Sequence, residues 1–291
     1  MSSTARLQVL LASLCFGTTG TAQALGPDGL SPAGVGAGRI LVGGGLLVLV
    51  ALLTRGGLTA LPKRPLLLAA GAVATYQLSF FAAVHDTGVA VGTIVALGSA
   101  PALAGGIEWA VERRAPSRAW AAATALACAG VAMLALAGTD ANISLPGVGL
   151  ALCAGASYAG YTLAAKRMLH AHSPETVMAG AFGLGAVLLL PVLVFAGGGL
   201  ATPAGAGLIV FLGVVPTAVA YLLFARGLKQ LSAAETATLT LAEPLTAALL
   251  GVIVLGEHLT APAMLGGTLI LGGLVVLAAP DIRRRPATVT V

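Results

Sequence analysis

The chain has 291 residues, of which 58% are hydrophobic and 9% charged, with a mean hydropathy of +0.99. A water-facing domain carries roughly 25% charged residues, so this chain cannot cover itself with a solvated surface and is an integral membrane protein. Its net charge of +5 sits in short loops and does not indicate nucleic acid, and Cys15, Cys128 and Cys153 lie in apolar stretches without paired spacing, which implies neither a disulfide nor a metal site.

A membrane-spanning helix needs about 20 apolar residues, and the hydropathy pattern predicts ten. They run over residues 6–25, 32–54, 65–84, 88–110, 117–137, 146–167, 174–196, 204–226, 232–255 and 260–279. The first imitates a secretory signal, with Arg6, an apolar run from Leu7 to Phe16 and Ala22-Gln23-Ala24 as a cleavage site. Residues 11–25 nevertheless align with the stretch Ala154 to Arg167, Phe16 over Tyr158, so the segment is expected to be a retained first span. Pro32, Pro174 and Pro203 fall where first helical turns are expected, and there a missing N–H costs nothing. The abundant glycine, 40 residues, suits close helix packing in lipid, including Gly34, Gly36, Gly38 and Gly43 to Gly45.

The ten spans form two copies of one unit. A shift of 142 positions lays Ser31-Pro32, Val35, Ala37, Gly38, Gly43, Leu46 and Leu47 on Ser173-Pro174, Val177, Ala179, Gly180, Gly185, Leu188 and Leu189. A shift of 143 lays Ala90, Thr93, Pro101, Ala104 and Gly130 on Ala233, Thr236, Pro244, Ala247 and Gly273. Five spans is an odd number, so the second copy must cross the bilayer in the opposite sense. The fold class is therefore an all-α integral membrane protein of ten transmembrane helices, built as two inverted five-helix repeats over residues 1–140 and 141–280, with a basic tail at 281–291.

Charge fixes the expected orientation. With the N-terminus inside, every Lys and Arg except Arg39 falls in inside loops or tails, while the outside loops carry Asp28, Asp86, Asp140 and Glu257. This is the positive-inside distribution, and it places both termini in the cytoplasm of a multi-pass protein of the plasma membrane. Equivalent loops of the two copies carry opposite charge: Arg55, Lys63 and Arg64 correspond to the uncharged stretch 197–204, and Asp28 corresponds to Lys166 and Arg167. Trp109 and Trp120 flank the basic fourth loop, at headgroup depth.

Inside the spans, Glu243 is the deep carboxylate, followed by Pro244. An ionised carboxylate costs at least a few kcal/mol at that depth, which makes Glu243 a candidate proton carrier or partner for a substrate ammonium. The competing reading is a permanently protonated group bonded to a neighbouring helix. Pro244 removes one helix hydrogen bond and lets the preceding turn open. Arg39 is the one cation within a span; it is either a helix anchor near the outer interface or a contact for a substrate carboxylate. Glu108 and Glu235 lie near cytoplasmic helix ends and read as interfacial salt bridges with Arg113, Arg114 or Lys229. The uncharged polar set comprises Thr18, Thr19, Tyr76, Gln77, Ser99, Tyr158, Tyr161, Thr217, Tyr221, Thr236, Thr238 and Thr240. Such groups can orient a small zwitterion, or simply bond helix to helix at about 0.6 kcal/mol each.

From Pro244 the text runs Pro-Leu-Thr-Ala-Ala-Leu-Leu-Gly-Val-Ile-Val-Leu-Gly-Glu-His-Leu-Thr, then a glycine-rich stretch from Leu265 to Gly273. This resembles the signature of the EamA-type branch of the drug/metabolite transporter superfamily, and Ala100-Pro101 through Glu112-Arg113-Arg114 is a degraded copy. Arg39 also sits where that family often has an arginine. The resemblance implies a ten-helix inner-membrane carrier exporting amino acids, related metabolites or drugs. Its cavity would be lined by spans one, three, four, six, eight and nine, with two, five, seven and ten peripheral. The essential first-span glutamate of the smaller multidrug relatives is missing here, where that span offers Cys15, Thr18, Thr19, Thr21 and Gln23.

The functional expectation is a secondary transporter working by alternating access at a midplane site, with a small-molecule solute and the lipid bilayer as partners and protons as a candidate coupling ion. No cofactor, metal or nucleic acid is expected, and oligomeric state is not encoded legibly. A multidrug exporter of the same fold and a passive facilitator or channel remain alternatives. A membrane-embedded enzyme is disfavoured, because the four His lie near membrane surfaces and only one carboxylate is deep.

Overall fold

The computed structural model describes residues 3–54, 60–113, 116–136, 144–256, 258 and 260–278. Arg55, Arg114, Asp140, Glu257 and the tail with Arg283 to Arg285 lie outside them. Within the described residues the chain is helical without a strand. The helices are α1 (Ser3–Ala24), α2 (Pro32–Leu53), α3 (Lys63–Glu112), α4 (Arg118–Leu136), α5 (Leu145–Leu169), α6 (Pro174–Ala196), α7 (Pro203–Gly213), α8 (Ala220–Gln230), α9 (Ala233–Leu239), α10 (Ala242–Leu255) and α11 (Ala261–Ala278), with a π-helical segment, Val214–Val219, joining α7 to α8.

Ten spans emerge from these elements. α3 is long enough for two, and it folds back on itself: a Cβ added at Gly92 would lie 3.2 Å from the Cα of Val84, where a straight helix would separate the two by about 12 Å. α7, the π-helical segment and α8 together make one span, Pro203–Gln230, and α9 with α10 makes another, Ala233–Leu255. Among the described residues, six helices are long and apolar enough to cross a bilayer by length and composition, and Val95–Val111, Arg118–Met133 and Ala261–Leu277 are shorter apolar helices.

Local chemistry sets the starts. Ser31 and Ser173 each accept a hydrogen bond from the backbone N–H three residues on, Gly34 at 3.4 Å and Thr176 at 3.2 Å, and each is followed by proline in the first turn. Ser144 and Thr202 cap α5 and α7 in the same way. The ends repeat too. Gly256 closes α10 with a left-handed backbone, φ 71°, and Arg113, which the shift of 143 lays on it, closes α3 at φ 55°. A side chain pays for that conformation and glycine does not, so the second copy carries the cheaper version of the same cap.

The largest helix contacts are kept when each span is exchanged for the one five places away. Spans two and seven (α2 and α6) pair with each other, as do five and ten (α4 and α11). The contact of α1 with α8 is matched by that of α5 with the first half of α3, and α1 with α10 by α5 with the second half. This is the two-repeat architecture expected from the sequence. Glycines permit the closest approaches: a Cβ at Gly34 would collide with the Ala196 carbonyl, at Gly44 with that of Phe182, and at Gly43 with Thr217. The main core gathers α1, α2, α3, α5, α6 and α8 around Phe16, Tyr161, Phe182, Tyr221 and Phe224.

Candidate functional site

The ninth span is broken where its polar residues sit. Pro244 has no N–H to offer, and the Glu243 N–H bonds the Thr240 carbonyl, at 2.9 Å, instead of that of Leu239. Thr240 and Leu241 leave the helix, separating α9 from α10. The Leu239 carbonyl so released faces the Ser13 hydroxyl of α1 at 3.4 Å. Gly17, one turn further along α1, brings that helix against the Glu243 carbonyl and Thr246, leaving no room for a Cβ.

The break opens onto a cavity lined by Phe16, Thr19, Arg39, Tyr76, Leu97, Ala100, Tyr158, Tyr221, Ala237, Thr240, Leu241 and Glu243. Of the residues expected from sequence, Thr19, Arg39, Tyr76, Tyr158, Tyr221, Thr240 and Glu243 therefore meet at one place. The Nε of Arg39 is buried there without a hydrogen-bond partner. Tyr158 Oη lies 3.2 Å from Thr240 Oγ1. Thr240 directs its own proton to the Ala237 carbonyl at 2.7 Å, so Tyr158 is the donor of that pair.

A second, contiguous space is lined by Arg39, Ile40, Ala72, Val73, Tyr76, Gln77, Tyr158, Tyr161, Phe182 and Tyr221. Here Gln77 is held by donating to the Gly36 carbonyl at 3.0 Å, and Tyr161 donates to the Met178 sulfur at 3.1 Å. The two spaces measure about 40 and 20 Å³, room for about three waters in the first and one or two in the second. A larger groove of about 700 Å³ lies between α1, α7 and α10, lined by Thr18, Thr21, Gly26, Phe211 and Leu250 among others. Thr18 thus faces the groove while its neighbour Thr19 faces the cavity.

The remaining candidates point elsewhere. Ser99 bonds the Ala96 carbonyl and packs on Gly155, Thr236 bonds the Ser232 carbonyl, and Thr217 bonds the Leu212 carbonyl beneath Gly43. Thr238 accepts from Thr124 across α9 and α4 at 2.8 Å while donating to the Ala234 carbonyl. These are helix-to-helix or same-helix bonds, without an exposed face on the cavity.

Two features differ from the sequence reading. Spans two and seven are not peripheral to the site, since Arg39 and Ile40 of α2 and Phe182 of α6 line it. Glu108 engages backbone: its carboxylate accepts from the N–H groups of Ala233 and Ala234 at 3.4 and 3.0 Å, because the first turn of a helix has donors without intrahelical partners. Glu235 does form a salt bridge, with Arg6 at 2.8 Å. The aromatic wall was only half visible beforehand: Phe16, Phe182 and Phe224 join the tyrosines, with ring centroids 4.9 Å apart for Phe16 and Tyr221 and 4.1 Å for Phe182 and Tyr221.

Known proteins resemble this chain in fold and sequence. A solved crystal structure superposes with a TM-score of 0.82 at 22% identity, covering 95% of this chain and 96% of that one. The chain is 43% identical over 283 residues to the protein named uncharacterized transporter YwfM of Bacillus subtilis, covering 97% of this chain and 96% of its relative. It is 35% identical over 168 residues, 55% of each chain, to the threonine/homoserine exporter RhtA of Salmonella typhimurium. The model of the EamA-like transporter family matches twice, over residues 4–136 and 145–279. The chain is a multi-pass membrane protein and belongs to the EamA-like transporter family.

Proposed function

We propose that this protein is a secondary transporter that exports small polar metabolites, amino acids foremost, through the cavity at the break in the ninth span. The observation that carries this reading is the convergence of Arg39, Glu243 and the Tyr158–Thr240 pair on one space. A guanidinium, a carboxylate and two hydroxyls are the complement of a zwitterion, and they stand among aromatic rings that keep water sparse. The name of the relative RhtA supports the amino-acid class. Residues 1–140 and 141–280 are the two moving units, and protons entering at Glu243 are the coupling ion. The loop charges support a plasma-membrane placement with both termini in the cytoplasm.

Counterflow of labelled threonine and homoserine into proteoliposomes loaded with each unlabelled amino acid tests the proposal. Saturable exchange is expected, and it also separates a carrier from an open channel. The aromatic wall around Phe16, Phe182 and Tyr221 favours a second reading, export of flat apolar compounds. Exchange of planar cations with none of amino acids would select it.

A further inference from the structure

The short connection between the eighth and ninth spans, Leu231–Ser232, is held from three directions. Lys166 at the end of α5 donates to the carbonyls of Leu228, Lys229 and Leu231 at 2.8, 3.2 and 2.7 Å. The carbonyls of Leu228 and Lys229 belong to the last turn of α8 and that of Leu231 to its C-cap; such carbonyls lack intrahelical partners and sit at the negative end of the dipole. From α3, Glu108 accepts from Ala233 and Ala234 at the start of α9. From α1, Arg6 reaches Glu235 at 2.8 Å. Two of the three ties cross from the first repeat to the second.

An apolar layer lies beneath them. Leu231, Ala5, Val9, Ala123, Leu239 and Leu277 form one buried cluster, and α1 runs so close to α8 that a Cβ at Gly227 would strike Val9 and the Ala5 carbonyl. α9 itself is seven residues, Ala233–Leu239. Its near end carries the ties, and its far end is the Thr240–Leu241 break where Ala237, Thr240 and Glu243 line the cavity. The opposite ends of α1, α7 and α10 are parted by the groove of about 700 Å³.

The geometry points to α9 as the cytoplasmic gate: a rigid half-helix, latched by Arg6, Glu108 and the Lys166-held connection, that swings about the Thr240–Leu241 break to admit solute from the cytoplasm. This inference rests on the transporter reading and on the sidedness given by the loop charges. With these ties made and the groove open at the other end, the protein is in a state shut toward the cytoplasm. Opening breaks the Arg6–Glu235 and Glu108–α9 ties, frees the Leu231 carbonyl from Lys166 and parts the layer around Leu231. Arg6, Glu108 and Glu235 are positioning residues, since none of them lines the cavity.

The test needs no knowledge of the solute, so its failure is separable from failure of the amino-acid reading. Ala237→Cys, in a chain with Cys15, Cys128 and Cys153 replaced by alanine, is reacted with a membrane-impermeant maleimide in inside-out vesicles. Adding Arg6→Gln and Glu108→Gln is expected to raise the labelling rate about tenfold, as a minor open state gains population. Labelling of Thr18→Cys from the outer face should fall in the same variant. An unchanged rate at Ala237→Cys overturns the proposal. As a check that does not depend on weakening the fold, Arg6→Cys and Glu235→Cys are bridged by a reducible thiol-specific cross-linker about as long as the original pair of side chains, with labelling read on the peptide that carries position 237. The cross-linked protein should resist cytoplasmic labelling of Ala237→Cys and regain it on reduction; equal labelling in both forms contradicts the gate.

Discussion

Thr217 donates its hydroxyl to the Leu212 carbonyl at 2.8 Å, the carbonyl that Pro216, lacking an N–H, leaves without its helical partner. The extra residue is absorbed by the π-helical segment Val214–Val219, a feature that often marks functional sites. Thr217 is fully buried, so the isosteric change Thr217→Val leaves an unpaired carbonyl in a dry setting. A loss of about 1–3 kcal/mol is expected, read as lowered thermal stability in detergent.

The same threonine sets a limit on α2. A Cβ at Gly43 would collide with Thr217, whereas Gly45 faces open space. Gly43→Ala should therefore cost roughly 1–3 kcal/mol through overpacking, and Gly45→Ala should be neutral or slightly stabilising because alanine is the better helix former. Thermal unfolding of the two variants side by side checks this contrast.

Tyr158 and Thr240 join α5 to the broken span, with Tyr158 as donor. Removing that one bond by Tyr158→Phe removes about 0.5–1.5 kcal/mol, which should slow transport roughly two- to tenfold while leaving the protein folded. Thr240→Val also frees the Ala237 carbonyl and should slow it further. Initial rates in proteoliposomes at matched protein density decide the order; equal rates for both variants and the parent would separate the pair from transport.

Much of the scaffold was legible because membrane burial writes itself in long apolar runs, and because Ser31-Pro32 and Ser173-Pro174 repeat a cap that the structure uses twice. The Glu243-Pro244 pair announced a weak turn, and the helix indeed parts two residues earlier. Which way a side chain faces was harder. α2 is apolar nearly all round, so nothing in its periodicity told whether Arg39 points to lipid or inward, and the structure turns it to the cavity. The partner of Glu108 was illegible for another reason: it is backbone, two N–H groups at a helix start brought near only by the fold. Phe182 was overlooked because its span has few polar groups, though its ring stands 4.1 Å from that of Tyr221.

The central claim is that solute and protons meet at Glu243, faced by Arg39, Tyr76, Tyr158 and Tyr221 across the cavity. The most direct measurement is efflux from amino-acid-loaded proteoliposomes, with and without an imposed proton gradient, for the parent and for Glu243→Gln. The account predicts that the parent responds to the gradient, and that Glu243→Gln loses at least tenfold in rate and all of the response. An unaltered rate with an unaltered response in Glu243→Gln would contradict it.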